Sequence, residues 1–380
     1  MTAIPRQGPL KGMRVIELAH VMAGPVCGLM LADMGADVIK VEKSGGGDDT
    51  RRMLPPAING EAAAYMMMNR NKRGIVLDLK HPKGKDALRR LVKNADVLTE
   101  NYRHDTLAAL GLGYDDLRKI NPGLIYAAIS GFGRSGPLME QGGFDLIAQG
   151  MSGLMSITGE APGRQPVKVG APVCDITAGL LLAMGVIAAY THKLKTGEGQ
   201  MVDTSLFEAG ITHTYWQSAI AFATGVSPEP MGSAHPLNAP YQAFETKDGW
   251  INIGAANQKL WELFVDLIEA PGLRNDPRFA SGRDRMTNLD ACIAALTPHM
   301  RKRTTAAWLA LLEAAGIPAG PVLSIRDMHT HPQTLARDMV PEVEHPIAGR
   351  LRTIGLPIKH SETPGKVLRA APVYGQDTRE

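Results

Sequence analysis

The sequence predicts an α/β protein with a mostly parallel sheet covered by helices on both faces, followed by a smaller α+β domain. Over roughly the first 200 residues, short apolar runs alternate with helical segments, the pattern of crossover-linked strands. Beyond about residue 200 that alternation gives way to hairpin-like patterning. A chain of 380 residues is also too long for one small core, so two domains are the default expectation.

"MRVIEL" (13–18) reads as a buried strand, "PVCGLMLADMG" (25–35) as a short helix opened by Pro25 and closed by Gly35, and "DVIKVE" (37–42) as a second strand. The unit recurs in "GIVLDLK" (74–80), a helix over 83–94 and "DVLTEN" (96–101). "LIYAAISGFG" (124–133) adds a strand after a helix near 114–120. Further on, "HPLNAPYQAFETKDGWINIGAAN" (235–257) alternates like a hairpin turning at Lys247-Asp248-Gly249. Helices near 258–269 and 305–315 follow it, the second ended by Gly316, and the tail from about 340 carries two strand-like pieces, "EVEHP" and "GRLRTIG".

Hydrophobic residues make up 44% and charged residues 21%, ordinary values for a globular chain, and a net charge of +3 argues against nucleic acid as the main partner. Cys27, Cys174 and Cys292 are too widely spaced for a disulfide framework or a zinc site, so no metal is expected. The first residues lack the apolar core of a signal peptide, and the longest apolar run, after Asp175, reads as too short for the about 20 residues of a bilayer span. A cytoplasmic protein without a membrane partner is the expectation.

Glu42 closes the second strand where a ribose-binding acid would fall. The preceding turn, "AHVMAGPVCG", nevertheless lacks G-x-G-x-x-G and argues against a dinucleotide site. Basic residues gather after the strands: Lys40, Lys43, Arg51, Arg52, Arg70, Lys72, Arg73, Lys80 and Arg103. One by one they read as a solvated rim, and together as a cradle for a polyanion such as a nucleotide diphosphate. Asp175 is the only acid in "VKVGAPVCDITAGLLLAMGVIAAYTHK" (167–193). It reads as the N-cap of a helix from Ile176 to about Leu194, and also as a desolvated carboxylate placed to act as a nucleophile.

Seven segments, in order, resemble the class III CoA-transferases, a group that includes formyl-CoA transferase and the α-methylacyl-CoA racemases. They are "GMRVIELAHVMAGPVCGLMLADMGADVIKVEKSGGGDDTR", "NRNKRGIVLDLK", "DVLTENYR", "GFGRSGP", "GGFDLIAQGMSGLMSITG", "DITAGLLLAMGVIAA" and "KTGEGQMVDTSLFEA". The resemblance runs over nearly the whole chain. It implies a Rossmann-like large domain formed by residues 1–200 with a C-terminal return over 340–380, a small domain over 225–330, and a homodimer of interlocked subunits. Asp175 is implied as the catalytic nucleophile, in the family's D-x-x-x-G pattern with Gly179. Contacts to CoA are implied for Met22, Ala23 and Lys43, for Leu77, Asp78, Leu79 and Lys80, for Asn101, Tyr102 and Arg103, and for Gly142, Gly143, Phe144 and Asp145.

On this reading acyl-CoA and a small carboxylic acid are substrates, CoA is no permanent cofactor, and CoA passes through an aspartyl anhydride and an aspartyl-CoA thioester. Met22 replaces the glutamine of formyl-CoA transferase, and "MGSAHPLNAPY" replaces its glycine-rich loop, which disfavours formate and oxalate. The small-domain stretch resembles members that use succinyl-CoA with dicarboxylic or branched acids. Racemisation is the first alternative, opposed by Phe144 standing where racemases carry a histidine; a non-catalytic CoA-binding module is the second.

Overall fold

Six runs assemble into one parallel sheet. In the computed structural model, which describes residues 7–379, these are β1 (Arg14–Glu17), β2 (Asp37–Glu42), β3 (Arg73–Val76), β4 (Val97–Glu100), β5 (Ile125–Ser130) and β6 (Met201–Ser205). Their order is β3-β2-β1-β4-β5-β6, and every neighbouring pair is parallel. This is the Rossmann order, in which the strand sequence reverses between β1 and β4. β4 and β5 are buried almost throughout, as their unbroken apolar runs require once helices cover both faces.

Helices α1 (Ala23–Asp33), α2 (Pro82–Lys93) and α3 (Tyr114–Ile120) lie in the β1–β2, β3–β4 and β4–β5 connections. The run "GIVLDLK" is strand only as far as Val76; Leu77 and Leu79 leave the sheet and pack on the cluster of Leu88, Val92 and Leu98. Between β5 and β6 lie α4 (Asp145–Met151) and α5 (Val173–Thr196), and α6 (Leu206–Thr212) follows β6. Strand β6, unforeseen in the sequence, is only partly buried at the sheet edge.

α5 begins three residues earlier than expected and runs for 24, closed by Gly197 in the left-handed region at φ 80°. By length and composition alone it would reach across a bilayer, correcting the reading of this run as too short. Its face of Cys174, Ala178, Leu182, Ala183, Val186 and Ala189 instead forms core with α1 and the sheet. Gly179 sets the approach: a Cβ there would lie 2.5 Å from the Ala23 carbonyl oxygen and 2.8 Å from Val26 Cβ.

The described residues form two compact units. One gathers residues up to Leu154, Lys168–Thr214 and those from His329 onward. In it the hairpin of β10 (Glu342–His345) and β11 (Gly349–Arg352) precedes a segment that runs beside β3. There Asn71 N–H donates to Arg369 O (2.9 Å), Gly74 N–H to Asp377 Oδ2 (2.7 Å) and Val76 N–H to Thr378 Oγ1 (3.1 Å). The edge strand is thereby covered. The other unit, Met155–Val167 with Tyr215–Met328, holds the antiparallel sheet of β7 (Tyr241–Glu245), β8 (Trp250–Gly254) and β9 (Ala319–Pro321). Its core centres on Phe244, Trp261, Phe264 and Trp308.

The Gly179 contact is with backbone, which cannot swing aside. Gly179→Ala is expected to cost about 1–3 kcal/mol, read as a lowered thermal midpoint. Gly170→Ala, whose Cβ would meet nothing within 4 Å, should stay within about 0.5 kcal/mol of the parent in the same measurement.

Candidate active site

The start of α5 poses an electrostatic question, because its first amides have no intrahelical acceptor. Pro172 occupies the N-cap position and offers no side-chain acceptor. The acceptor comes from α4: Asp145 Oδ1 takes the N–H of Cys174 at 2.9 Å and that of Asp175 at 3.3 Å. The expectation that Asp175 caps the helix is therefore corrected. Proline suits a helix start, so the helix begins before Asp175 and leaves it inside the first turn.

Asp175 is half-buried, and among the described residues no side chain donates a hydrogen bond to its carboxylate. Burial, then the negative charge of Asp145, pushes its pKa up to about 6. The site thus makes the charge costly instead of securing it, yet at neutral pH the ionised form still prevails about tenfold. Such a carboxylate is poorly solvated and available to attack an electrophile. Cys174 beside it does not compete, since burial and the two neighbouring carboxylates push its thiol up to about 12. Two residues on, Thr177 Oγ1 lies 2.8 Å from His213 Nε2, a pairing that sequence spacing could not reveal.

Glycines bring the surrounding loops together. A Cβ on Gly131 would stand 2.7 Å from Gly143 Cα, so the loops "GFG" and "GGF" touch backbone to backbone. A Cβ on Gly142 would be 3.5 Å from the Arg103 guanidinium. At the reversal of strand order, Asn101 clamps His20 both ways, accepting its N–H at 2.9 Å and donating to its carbonyl at 2.7 Å. Tyr102 meets the His20 ring edge-on at 4.8 Å. Met22 immediately precedes α1, and Ala23 is buried with its carbonyl under Gly179. The first turn of α1 is thus held against the second turn of α5.

The residues singled out in the sequence lie beyond the carboxyl ends of successive strands: Met22 and Ala23 after β1, Lys43 after β2, Leu77–Lys80 after β3, Asn101–Arg103 after β4, and Gly142–Asp145 after β5. Lys43, Asp78, Lys80, Arg103, Gly142 and Phe144 are exposed, Phe144 at 78%. The polyanion cradle needs correction. Lys40, Arg70 and Lys72 are fully buried, paired with Glu17 and Asp48, with Asp33, and with Glu17 respectively. Arg51 makes a fork on Glu42 at 2.7 Å for both bonds, which also occupies the candidate ribose acid, and Arg73 pairs with Asp37. Only Lys43, Arg52, Lys80 and Arg103 remain exposed, and the first two pair with Asp49.

A Rossmann-type sheet without a pyrophosphate loop, with a half-buried carboxylate one helical turn before the Gly179 contact to the start of α1, defines an α/β protein with a candidate site at the start of α5. The chain belongs to CoA-transferase family III, whose family model matches residues 10–378. It is 40% identical over 383 aligned positions to the succinate–glutarate CoA-transferase of Agrobacterium fabrum (strain C58), covering 99% of this chain and 96% of that one. It is 39% identical over 335 positions to the acetyl-CoA:oxalate CoA-transferase of Acetobacter aceti, covering 88% and 86%. The crystal structure of a CAIB/BAIF family protein from Brucella suis superposes with a TM-score of 0.88 at 37% identity, over 98% of each chain. The protein is a CoA-transferase.

Two outcomes follow from the paired acids. Asp145→Asn keeps an acceptor for the α5 amides but removes the charge, so the Asp175 carboxyl should titrate below about 6, as an NMR titration of its side chain will show. The native pKa of Asp175 lies above its unfolded value of 3.8, so the folded state binds the proton more tightly and the penalty is complete only above about pH 6. Asp175→Asn should therefore be more stable than the parent at pH 7.5, by on the order of 2 kcal/mol after discounting for partial exposure. That advantage should fade as pH falls toward 4, measured by denaturant unfolding.

Proposed function

We propose that the enzyme moves CoA from succinyl-CoA to a dicarboxylic acid, with Asp175 as the nucleophile. The observation that carries this reading is the half-buried Asp175 carboxylate, without a side-chain donor among the described residues, at the start of a helix seated against α1. The names of the Agrobacterium and Acetobacter relatives support a dicarboxylate acceptor.

The Asp175 carboxylate attacks the donor thioester carbonyl, giving a mixed anhydride and CoA thiolate. The thiolate attacks the aspartyl carbonyl, which releases the donor acid and leaves an aspartyl-CoA thioester. The acceptor carboxylate attacks that thioester, and the freed thiolate then attacks the acceptor acyl carbon of the new anhydride, restoring Asp175. Each step exchanges one activated acyl group for another, so the thioester's energy is kept if water is excluded. Backbone N–H groups of the Gly131 and Gly143 loops are suited to hold the tetrahedral oxyanions. CoA enters and leaves as a substrate, lying along the loops that carry Met22, Lys43, Leu77–Lys80 and Asn101–Arg103.

Racemisation needs a second group to carry a proton at the α-carbon. Phe144 cannot, and the Asp145 carboxylate is engaged with the amides of Cys174 and Asp175. The active form on this reading is an interlocked homodimer in the cytoplasm. The helix Tyr215–Thr224 supports association: it has no buried residue and leaves Tyr215, Trp216 and Phe222 exposed at 74%, 59% and 89%.

The test pairs succinyl-CoA and acetyl-CoA with glutarate, mesaconate, citramalate and oxalate. Transfer from succinyl-CoA to at least one of the larger dicarboxylates is expected, with a loss of at least about a thousandfold in Asp175→Ala. Hydroxylamine added with acyl-CoA should leave a hydroxamate on Asp175; a modified residue elsewhere, or full activity in Asp175→Ala, defeats the mechanism.

A further inference from the structure

Val21 is β-branched, yet it sits at φ 67°, in the left-handed region that such residues avoid. The strain lies between His20, clamped by Asn101, and Met22, which opens α1. A backbone held in such a conformation persists only where its surroundings over-determine it. The restraint is visible: Val21 N–H donates to Asp48 Oδ1 at 3.2 Å.

Asp48 belongs to a different loop, the one after β2, and is itself buried at 2% exposure. The same oxygen accepts from Thr50 N–H at 2.9 Å and Thr50 Oγ1 at 2.8 Å, starting the short helical turn Asp49–Arg52. Its other oxygen pairs with Lys40 Nζ at 2.8 Å, and Lys40 donates to Ala19 O at 2.8 Å, two residues before Val21. The loop that Asp48 closes runs through Gly45, Gly46 and Gly47, all at positive φ, and starts beside the exposed Lys43. One carboxylate therefore ties together the loops that follow β1 and β2.

We propose that Asp48 is a positioning residue for CoA: it holds Val21 in its strained conformation so that Met22 and the first turn of α1 face the ligand in register with the glycine loop after β2. This rests on the assignment of these loops to CoA and adds which side chain sets their geometry. Asp48 touches no substrate. Its effect is transmitted through the Val21 amide.

The experiment measures CoA binding by calorimetry, KM for acyl-CoA, KM for the acceptor acid, kcat and thermal midpoint in the full chain. Asp48→Ala should weaken CoA binding and raise KM for acyl-CoA by about tenfold, with kcat and the acceptor KM within about threefold. Asp48→Asn keeps an acceptor for the Val21 amide and should bind CoA within about twofold of the parent; it serves if the alanine variant fails to fold. Val21→Gly takes a residue free to adopt positive φ, so adding Asp48→Ala in that background should cost less than about threefold, a non-additive cycle.

A lowered thermal midpoint with unchanged CoA binding in Asp48→Ala would make the role structural and overturn the proposal. So would an equal loss in both backgrounds, or a tenfold loss in Asp48→Asn. A parent enzyme that binds CoA but transfers it to no acid sinks the transferase substrate assignment and leaves this inference standing. A parent that does not bind CoA overturns it.

Discussion

The buried carboxylate of Glu17 is the constraint around which the first unit is arranged. It is fully inaccessible at the end of β1, with Lys40 Nζ 3.1 Å from one oxygen and Lys72 Nζ 2.9 Å from the other. Lys40 comes from β2, Lys72 from the residue before β3, and α1 crosses overhead with Gly28, where a Cβ would fall 1.7 Å from Glu17 Oε2. Four pieces of backbone thus meet at one charge. The two lysines differ in how they hold their protons: burial lowers Lys72 to about 8, whereas for Lys40 the Glu17 and Asp48 carboxylates outweigh burial and raise it. Removing one member would strand the others, at a cost of about 3–5 kcal/mol for a buried pair.

That arrangement explains which parts of the protein could be read from the sequence. Apolar runs report burial, and β2 ends where its run ends. A lysine in a loop reports nothing about its partner. Lys40 and Lys72 look like rim cations until Glu17 is seen between them, 23 and 55 residues away in sequence. The cap of α5 was hidden for the same reason, since its acceptor Asp145 lies 29 residues before the amide of Cys174. Asp175 stood out because a lone acid beside a long apolar run is a local fact, although the helix start was placed three residues late, and Gly179 was singled out only through the family resemblance. Strand β6 was not, for "MVDTS" is short, polar in part and half-buried.

The start of α5 breaks a local rule. A helix N-terminus normally stabilises a carboxylate and lowers its pKa. Here the amides that would do so are occupied by Asp145, leaving Asp175 beside a second negative charge in a desolvated place. Departures of this kind concentrate where chemistry is done. The strained turn at Val21, in the loop between β1 and α1, is a departure of the same kind.

The cover over β3 has a consequence for how the chain is made. Gly74 is hydrogen-bonded to Asp377, 303 residues later. At roughly 5–20 residues per second, the ribosome delivers that partner about 15 to 60 seconds after the strand. Throughout that interval the nascent sheet has an open edge at β3, where the part-exposed Arg73 is the charge set against pairing with another chain. The sheet's edge is therefore among the last parts of this unit to be closed, because its cover is the end of the chain.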